Sequence, residues 1–152
     1  MLLPNGATLE GHAALHRGNL LGAVGSSDGV PTGAVIERGS NANGEYARFA
    51  DGTQLCYGTL NLGDATRFGN RTFDNLWRTD FFTWTYPAAF VVPPLIAGSG
   101  TIPSSVGNAR RMVLSFRYVT ETDTDAIQAF RIGSNSEASD CTAYMIAIGR
   151  WF

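Results

Sequence analysis

Two histidines four residues apart, His12 and His16 in "HAALH", are the chain's entire stock of imidazole. On a helix this spacing puts both rings on one face, where they could share a metal ion. A protein metal site normally needs at least three side-chain ligands, so two exposed or packing histidines in a short helix are the expectation. "ETDTD", Glu121 to Asp125, alternates carboxylates but lacks the Gly and the remaining oxygen ligands of a calcium loop, and it reads as a solvated turn. No GxSxG, HExxH or phosphate-cradling glycine loop occurs. The expectation is a protein without catalysis, metal or cofactor.

Arginine is the more informative residue. All 11 basic residues are Arg and none is Lys. Guanidinium offers a rigid fork of donors and stacks on aromatic rings, which suits planar or anionic groups. A GC-rich genome is the favoured explanation of the chain-wide pattern, and individual Arg residues keep a recognition role. Arg67, Arg71 and Arg78 alternate with Phe68, Phe73 and Trp77 in "NLGDATRFGNRTFDNLWRTD", Asn61 to Asp80, the longest stretch without clear periodicity. Long loops in compact domains are usually functional or disordered.

The elements that must position these residues follow from composition. The 152 residues suffice for one core, and 18 Gly with abundant Ser, Thr, Phe, Tyr, Val and Ile favour short strands and tight turns. The net charge of -2 disfavours nucleic-acid binding by a broad basic face. Cys56 and Cys141 match no metal spacing and read as buried small apolar residues, with a disulfide open if their strands are neighbours. "MLLPNGATLEG" lacks a basic flank with a long apolar run, so neither a signal peptide nor membrane insertion is expected.

Residues 1–34 read as an irregular arm for attachment or trimerisation, too poor in bulky apolar residues to fold alone; "GHAALHRGNLLG" allows a turn or two of helix between breaker signals. Residues 35–152 read as a β-hairpin plus a sandwich. "AVIERG" and "EYARFA" are extended runs, and Asp51-Gly52 is a strong two-residue type I′ signal. Pairing outward from it matches Arg48 with Leu55, Ala47 with Cys56 and Tyr46 with Tyr57, which places Tyr46, Arg48, Leu55 and Tyr57 on one face. "FFTWTY", "PPLIAGSG", "RRMVLSFRYVT", "DAIQAFRIG" and "CTAYMIAIGRWF" follow as strands separated by turns. Alternation sets Met112, Leu114, Phe116 and Tyr118 against Val113, Ser115 and Arg117. The fold class is all-β, an antiparallel sandwich.

"GVPTGAVIERGSNANGEYARFADGTQLC" resembles the lead-in of the C-terminal domains of tail-fibre and head-spike proteins from tailed phages and gene transfer agents. "WTYPAAFVVPPLIAG" and "AYMIAIGRWF" are similar to the pattern of H-type lectin-like domains. The resemblance covers roughly residues 29–152. It implies a six-stranded antiparallel sandwich, a homotrimer, and attachment of a particle to host cell-surface polysaccharide. The chain departs from the lectins in their sugar-contacting residues, so no sugar specificity is carried over. The implied partners are other copies of the chain, particle proteins gripped by the arm, and a host glycan, and the implied location is the surface of a phage or phage-like particle assembled in the bacterial cytoplasm.

Sugars combine apolar C–H faces with many hydroxyls, so their sites join an aromatic platform to Asn, Asp and Arg. In an antiparallel sandwich whose arm lies at the particle-proximal end, the segments 61–80, 99–109 and 133–140 emerge together at the far end. They supply the expected carbohydrate set: Arg67, Asn70, Arg71, Trp77, Arg78, Asn108, Asn135, Glu137 and Asp140. For Trp77 and Phe73 the alternative is that they pin a long loop to the core. Trp151 and Phe152, too bulky to dangle, are expected to pack beneath the sandwich or, with Tyr46 and Tyr57, in a subunit interface. The alternative function is a structural adaptor or base holding another fibre. A glycan-cleaving enzyme would need a carboxylate pair across a cleft, whereas the carboxylates are scattered over turns.

Overall fold

The computed structural model describes residues 8–9, 12–14, 16–65, 67–68, 76–102, 112–132 and 140–152. Strands β1 (Thr8–Leu9) and β2 (His12–Ala13) pair, helix α1 (Arg17–Leu20) follows, and β3 (Val24–Ser27) and β4 (Val30–Gly33) form a hairpin. The body opens with β5 (Ile36–Asn41), β6 (Gly44–Phe49) and β7 (Thr53–Asp64). It continues through β8 (Arg67–Phe68), β9 (Leu76–Arg78), β10 (Phe82–Thr85) and β11 (Leu95–Thr101). Strands β12 (Met112–Ser115), β13 (Tyr118–Val119), β14 (Asp123–Ile132) and β15 (Asp140–Arg150) complete it. Among the described residues no helix is long and apolar enough to cross a membrane.

The body is an antiparallel β-sandwich. One sheet has the order β11-β15-β7-β6-β5. The other is built on β14, which pairs with β9 and β10 along one side and with β12 and β13 along the other, with β8 beyond β9. The core lies between them. Trp84, Tyr86, Phe90, Ile127 and Ala129 pack onto Cys56, Leu62, Ala143, Met145 and Ala147. Large rings from one sheet meet small residues from the other, as close packing requires. Tyr86 stands edge-on to Trp84 and Phe90 at 5.2 Å each, and its buried hydroxyl meets the Thr124 hydroxyl at 2.6 Å. Gln54, also buried, donates through Nε2 to the carbonyls of Ala88 and Ala89 at 2.9 and 3.1 Å, which ties the Pro87–Phe90 crossing to the first sheet.

Three expectations change. Tyr46 pairs with Cys56 and Arg48 with Gln54, one residue out of the predicted register, because residues 50–52 form a three-residue loop. Gly52 takes φ +90° there while Asp51 does not turn left-handed, the geometry of a type I turn closed by a glycine bulge. A one-residue slip exchanges faces. Tyr46 and Arg48 therefore share the inward face with Gln54 and Cys56, while Leu55 and Tyr57 face outward.

The two-residue type I′ loop sits instead at Asp28-Gly29, where φ is +51° and +78°. It closes β3 and β4 inside the stretch expected to be irregular. His12 lies in β2, and His16 caps α1 by accepting the Gly18 N–H at its Nδ1, 3.0 Å away, so no shared helical face joins the two histidines. Their separation removes the spacing argument for a common metal.

Candidate functional site

The sandwich register brings together the strand ends that flank the three expected tip segments. Thr101 pairs with Thr142 and Thr142 with Asn61, Asp140 pairs with Asp64, and Arg131 pairs with both Met112 and Trp77. The strand β7 runs to Asp64 and β9 begins at Leu76, so the aperiodic stretch is shorter at both ends than its sequence suggested. At this end Arg131, a wholly buried side chain, reaches from the second sheet to Asp64 of the first, with Nη1 3.4 Å from Oδ1. Asp64 keeps some contact with solvent, and the cost of taking the Arg131 charge out of water offsets much of the attraction between the two. Burial pushes the neighbouring Cys141 thiol above its ordinary range.

Of the expected carbohydrate residues, Trp77 and Arg78 sit on β9, half-buried, and Trp77 packs against the core. Its position favours the pinning role over an open platform. Asp140 is exposed and accepts a hydrogen bond from Asn61 Nδ2 at 3.1 Å. Arg67 belongs to β8, where its backbone pairs with Arg78. Asn70, Arg71, Asn108, Asn135 and Glu137 lie outside the described residues. Of "ETDTD" only Glu121 and Thr122 form the turn, closed by Thr120, whose hydroxyl accepts the N–H groups of Thr122 and Asp123 at 3.2 and 3.1 Å; Asp123 to Asp125 open β14 instead, with Thr124 buried.

The opposite end carries a polar cluster that sequence reasoning missed. Glu37 on β5 accepts the Val24 N–H at Oε2, 2.9 Å, and the Tyr46 hydroxyl at Oε1, 2.8 Å. Arg48 approaches the same carboxylate at 3.7 Å and stacks on the rings of Tyr46 and Trp151 at 5.2 and 5.6 Å. Burial pushes the Glu37 carboxyl up, but the Val24 and Tyr46 hydrogen bonds and the Arg48 charge outweigh it and hold the group below its ordinary value. The hydrogen bond to Glu37, with burial added, raises Tyr46. Trp151 donates from its backbone N to Gly52 O at 3.0 Å and from Nε1 to Phe49 O at 2.9 Å, with Phe152 edge-on at 4.4 Å. The bulky terminus thus packs over the β6–β7 turn, and Tyr46 faces inward beside it.

The outer face of the first sheet has a different character. Along β15, Cys141, Ala143, Met145 and Ala147 are buried, and the alternate positions Tyr144, Ile146 and Ile148 are 47%, 36% and 43% exposed. The register lines them up with Leu95 and Tyr57, 80% and 41% exposed, and with Ala97 and Leu55. A strand that is apolar on both faces is the pattern of one covered on both sides. At the edge of this face, Tyr57, Tyr144 and Glu45 line a groove of about 550 Å³ with the β5–β6 turn, and the Tyr57 hydroxyl donates to Glu45 Oε2 at 2.9 Å.

The architecture defines an antiparallel β-sandwich with an added hairpin and an N-terminal hairpin tied to its edge. No family model and no curated protein sequence matches the chain. Solved structures do. A C-terminal part of the P. aeruginosa R1 pyocin fibre is similar with a TM-score of 0.53 and 18% identity, over 75% of this chain and 28% of that one. An N-truncated R1-type pyocin tail fibre is similar with a TM-score of 0.52 and 18% identity, over 76% of this chain and 88% of that one. The chain therefore shares its fold with pyocin fibre fragments while spanning just over a quarter of the longer one.

Proposed function

We propose that the chain is a receptor-binding fibre or spike domain of a phage or phage-like gene transfer agent, which attaches the particle to host cell-surface polysaccharide. The shared fold with pyocin tail-fibre fragments carries this reading. The assembly is a homotrimer, with the arm gripping other particle proteins and the tip segments, including Arg78 and Asp140, meeting the glycan. The exposed apolar face supports the trimer, since monomeric soluble proteins rarely leave so continuous an apolar surface open. The subunit contact runs through Leu95, Tyr144, Ile146, Ile148 and Tyr57, in place of the inward-facing Tyr46. Weak single-site sugar contacts are multiplied by the copies on each particle.

Sedimentation of the purified chain over a range of concentrations, paired with adsorption of the trimer to bacterial cells, tests the proposal. A folded trimer that adsorbs to cells and loses adsorption when surface polysaccharide is stripped supports it. A stable monomer, or a trimer indifferent to polysaccharide, overturns it. A particle lacking only this chain separates attachment from the adaptor role: the adaptor role predicts loss of a second protein from the particle.

A further inference from the structure

The central strand β14 is interrupted at one level, and the interruption gathers an unusual group of side chains on the outer face of the second sheet. Thr79 N donates to Ala129 O at 3.1 Å, and Phe82 pairs with Ile127. Between those contacts the 76–85 run holds one residue more than β14. Between Phe82–Ile127 and Trp84–Thr124 the balance reverses and β14 holds the extra residue. These are two compensating bulges, a device that re-aims side chains. Ala126 sits in the second with φ +51°, a left-handed conformation that costs a β-carbon residue about 1 to 2 kcal/mol.

On the other side of β14 the ladder lapses at Phe116 and Arg117, between β12 and β13. Phe81, at the first bulge, and Tyr118 are 51% and 56% exposed, and the exposed Arg117 lies over both rings, 5.6 and 5.5 Å from their centroids. Tyr118 pairs with Asp125, which accepts a hydrogen bond from the Thr83 hydroxyl. The Thr83 bond, with the Ala126 backbone N–H, holds Asp125 below its ordinary carboxylate value and so ionised.

We infer that Phe81, Arg117, Tyr118, Asp125 and Thr83 form a binding site for an acidic saccharide on the flank of the sandwich, separate from the tip. The inference rests on the glycan reading above and gives it a ligand class. Two exposed rings offer surfaces for sugar C–H faces, and Asp125 and Thr83 accept or share hydroxyl hydrogens. Arg117 supplies the selectivity. Among the described residues no carboxylate pairs with its guanidinium, and the flanking rings hold the planar fork so that less freedom is lost when a sugar carboxylate docks bidentately. A protein partner would need a broader apolar centre than two separated rings. Strained backbone beneath surface-presented side chains fits a positioned site better than a solvated strand face.

The test titrates the folded chain with oligogalacturonide and sialyl oligosaccharides and with their carboxyl-reduced counterparts, following the Arg117 Nε–H and Ala126 amide NMR signals. The acidic sugars are expected to shift both signals. Carboxyl reduction is expected to abolish the Arg117 shift. Arg117→Ala should weaken binding about tenfold or more, and Arg117→Lys by less, since the charge survives without the fork. Equal binding of acidic and reduced sugars, no shift with any acidic sugar, or unchanged affinity in Arg117→Ala with a native spectrum each overturn the site. Cell adsorption keeps the two readings apart. Wild-type trimer that adsorbs while Arg117→Ala adsorbs equally overturns this site and leaves the attachment role standing, whereas wild-type trimer that fails to adsorb overturns the attachment role.

Discussion

Glu37→Gln is the substitution that most directly probes how the N-terminal hairpin is held. The amide can still accept the Val24 N–H, and the Tyr46 hydroxyl can rotate to accept from the amide nitrogen, so geometry survives and charge is lost. Hydrogen bonds to a charged group contribute about 1.5 to 3 kcal/mol and neutral ones about 0.5 to 1.5 kcal/mol. Two such changes would cost roughly 2 kcal/mol. The Glu37 and Arg48 side chains are 18% and 27% exposed, and screening lowers the expected loss to about 1.5 kcal/mol.

The dependence on pH follows from the direction of the shift. The folded-state carboxyl titrates below 4.5, its unfolded value, so its contribution is complete above that pH and disappears as pH falls through the folded value. Urea unfolding at fixed protein concentration should therefore give a gap between wild type and variant that is full at pH 7 and closes in acid below pH 4.5. A gap of the same size at both extremes, or none at pH 7, refutes the account of Glu37 as a charged anchor.

Gly52→Ala is expected to destabilise by about 1 to 2 kcal/mol in thermal melts, because φ is +90°, a left-handed conformation that a β-carbon disfavours, while the Arg150 side chain beside it can move aside. Ile148→Asp, on the exposed apolar face, should convert the proposed trimer to monomer in sedimentation while leaving the circular dichroism spectrum unchanged; a variant that remains trimeric removes this face from the interface. Ile127→Ala empties a fully buried position and should cost about 2 to 5 kcal/mol in denaturant unfolding. Burial raises the thiols of both Cys56 and Cys141, so neither is expected to react with iodoacetamide until urea unfolds the chain.

The sequence by itself determined the class of fold and the positions of the main strands, because alternation in stretches such as 140–150 and turn residues between them act locally. It also implied which strand ends gather at one end of the sandwich, since antiparallel order leaves few alternatives once the strands are known. Tertiary structure decided the register at Asp51-Gly52: a two-residue and a three-residue loop use the same dipeptide, and only burial of Gln54 and Cys56 against the second sheet selects between them. The same selection turned Tyr46 inward and Tyr57 outward. Tertiary structure likewise made a hairpin of 24–33, whose anchor is Glu37, thirteen residues beyond Val24. The cluster around Arg117 was invisible for a related reason. Phe81, Arg117 and Asp125 are brought together by two compensating bulges and a lapse in the ladder on the other side of β14, and a bulge is a response to pairing partners that no local pattern records.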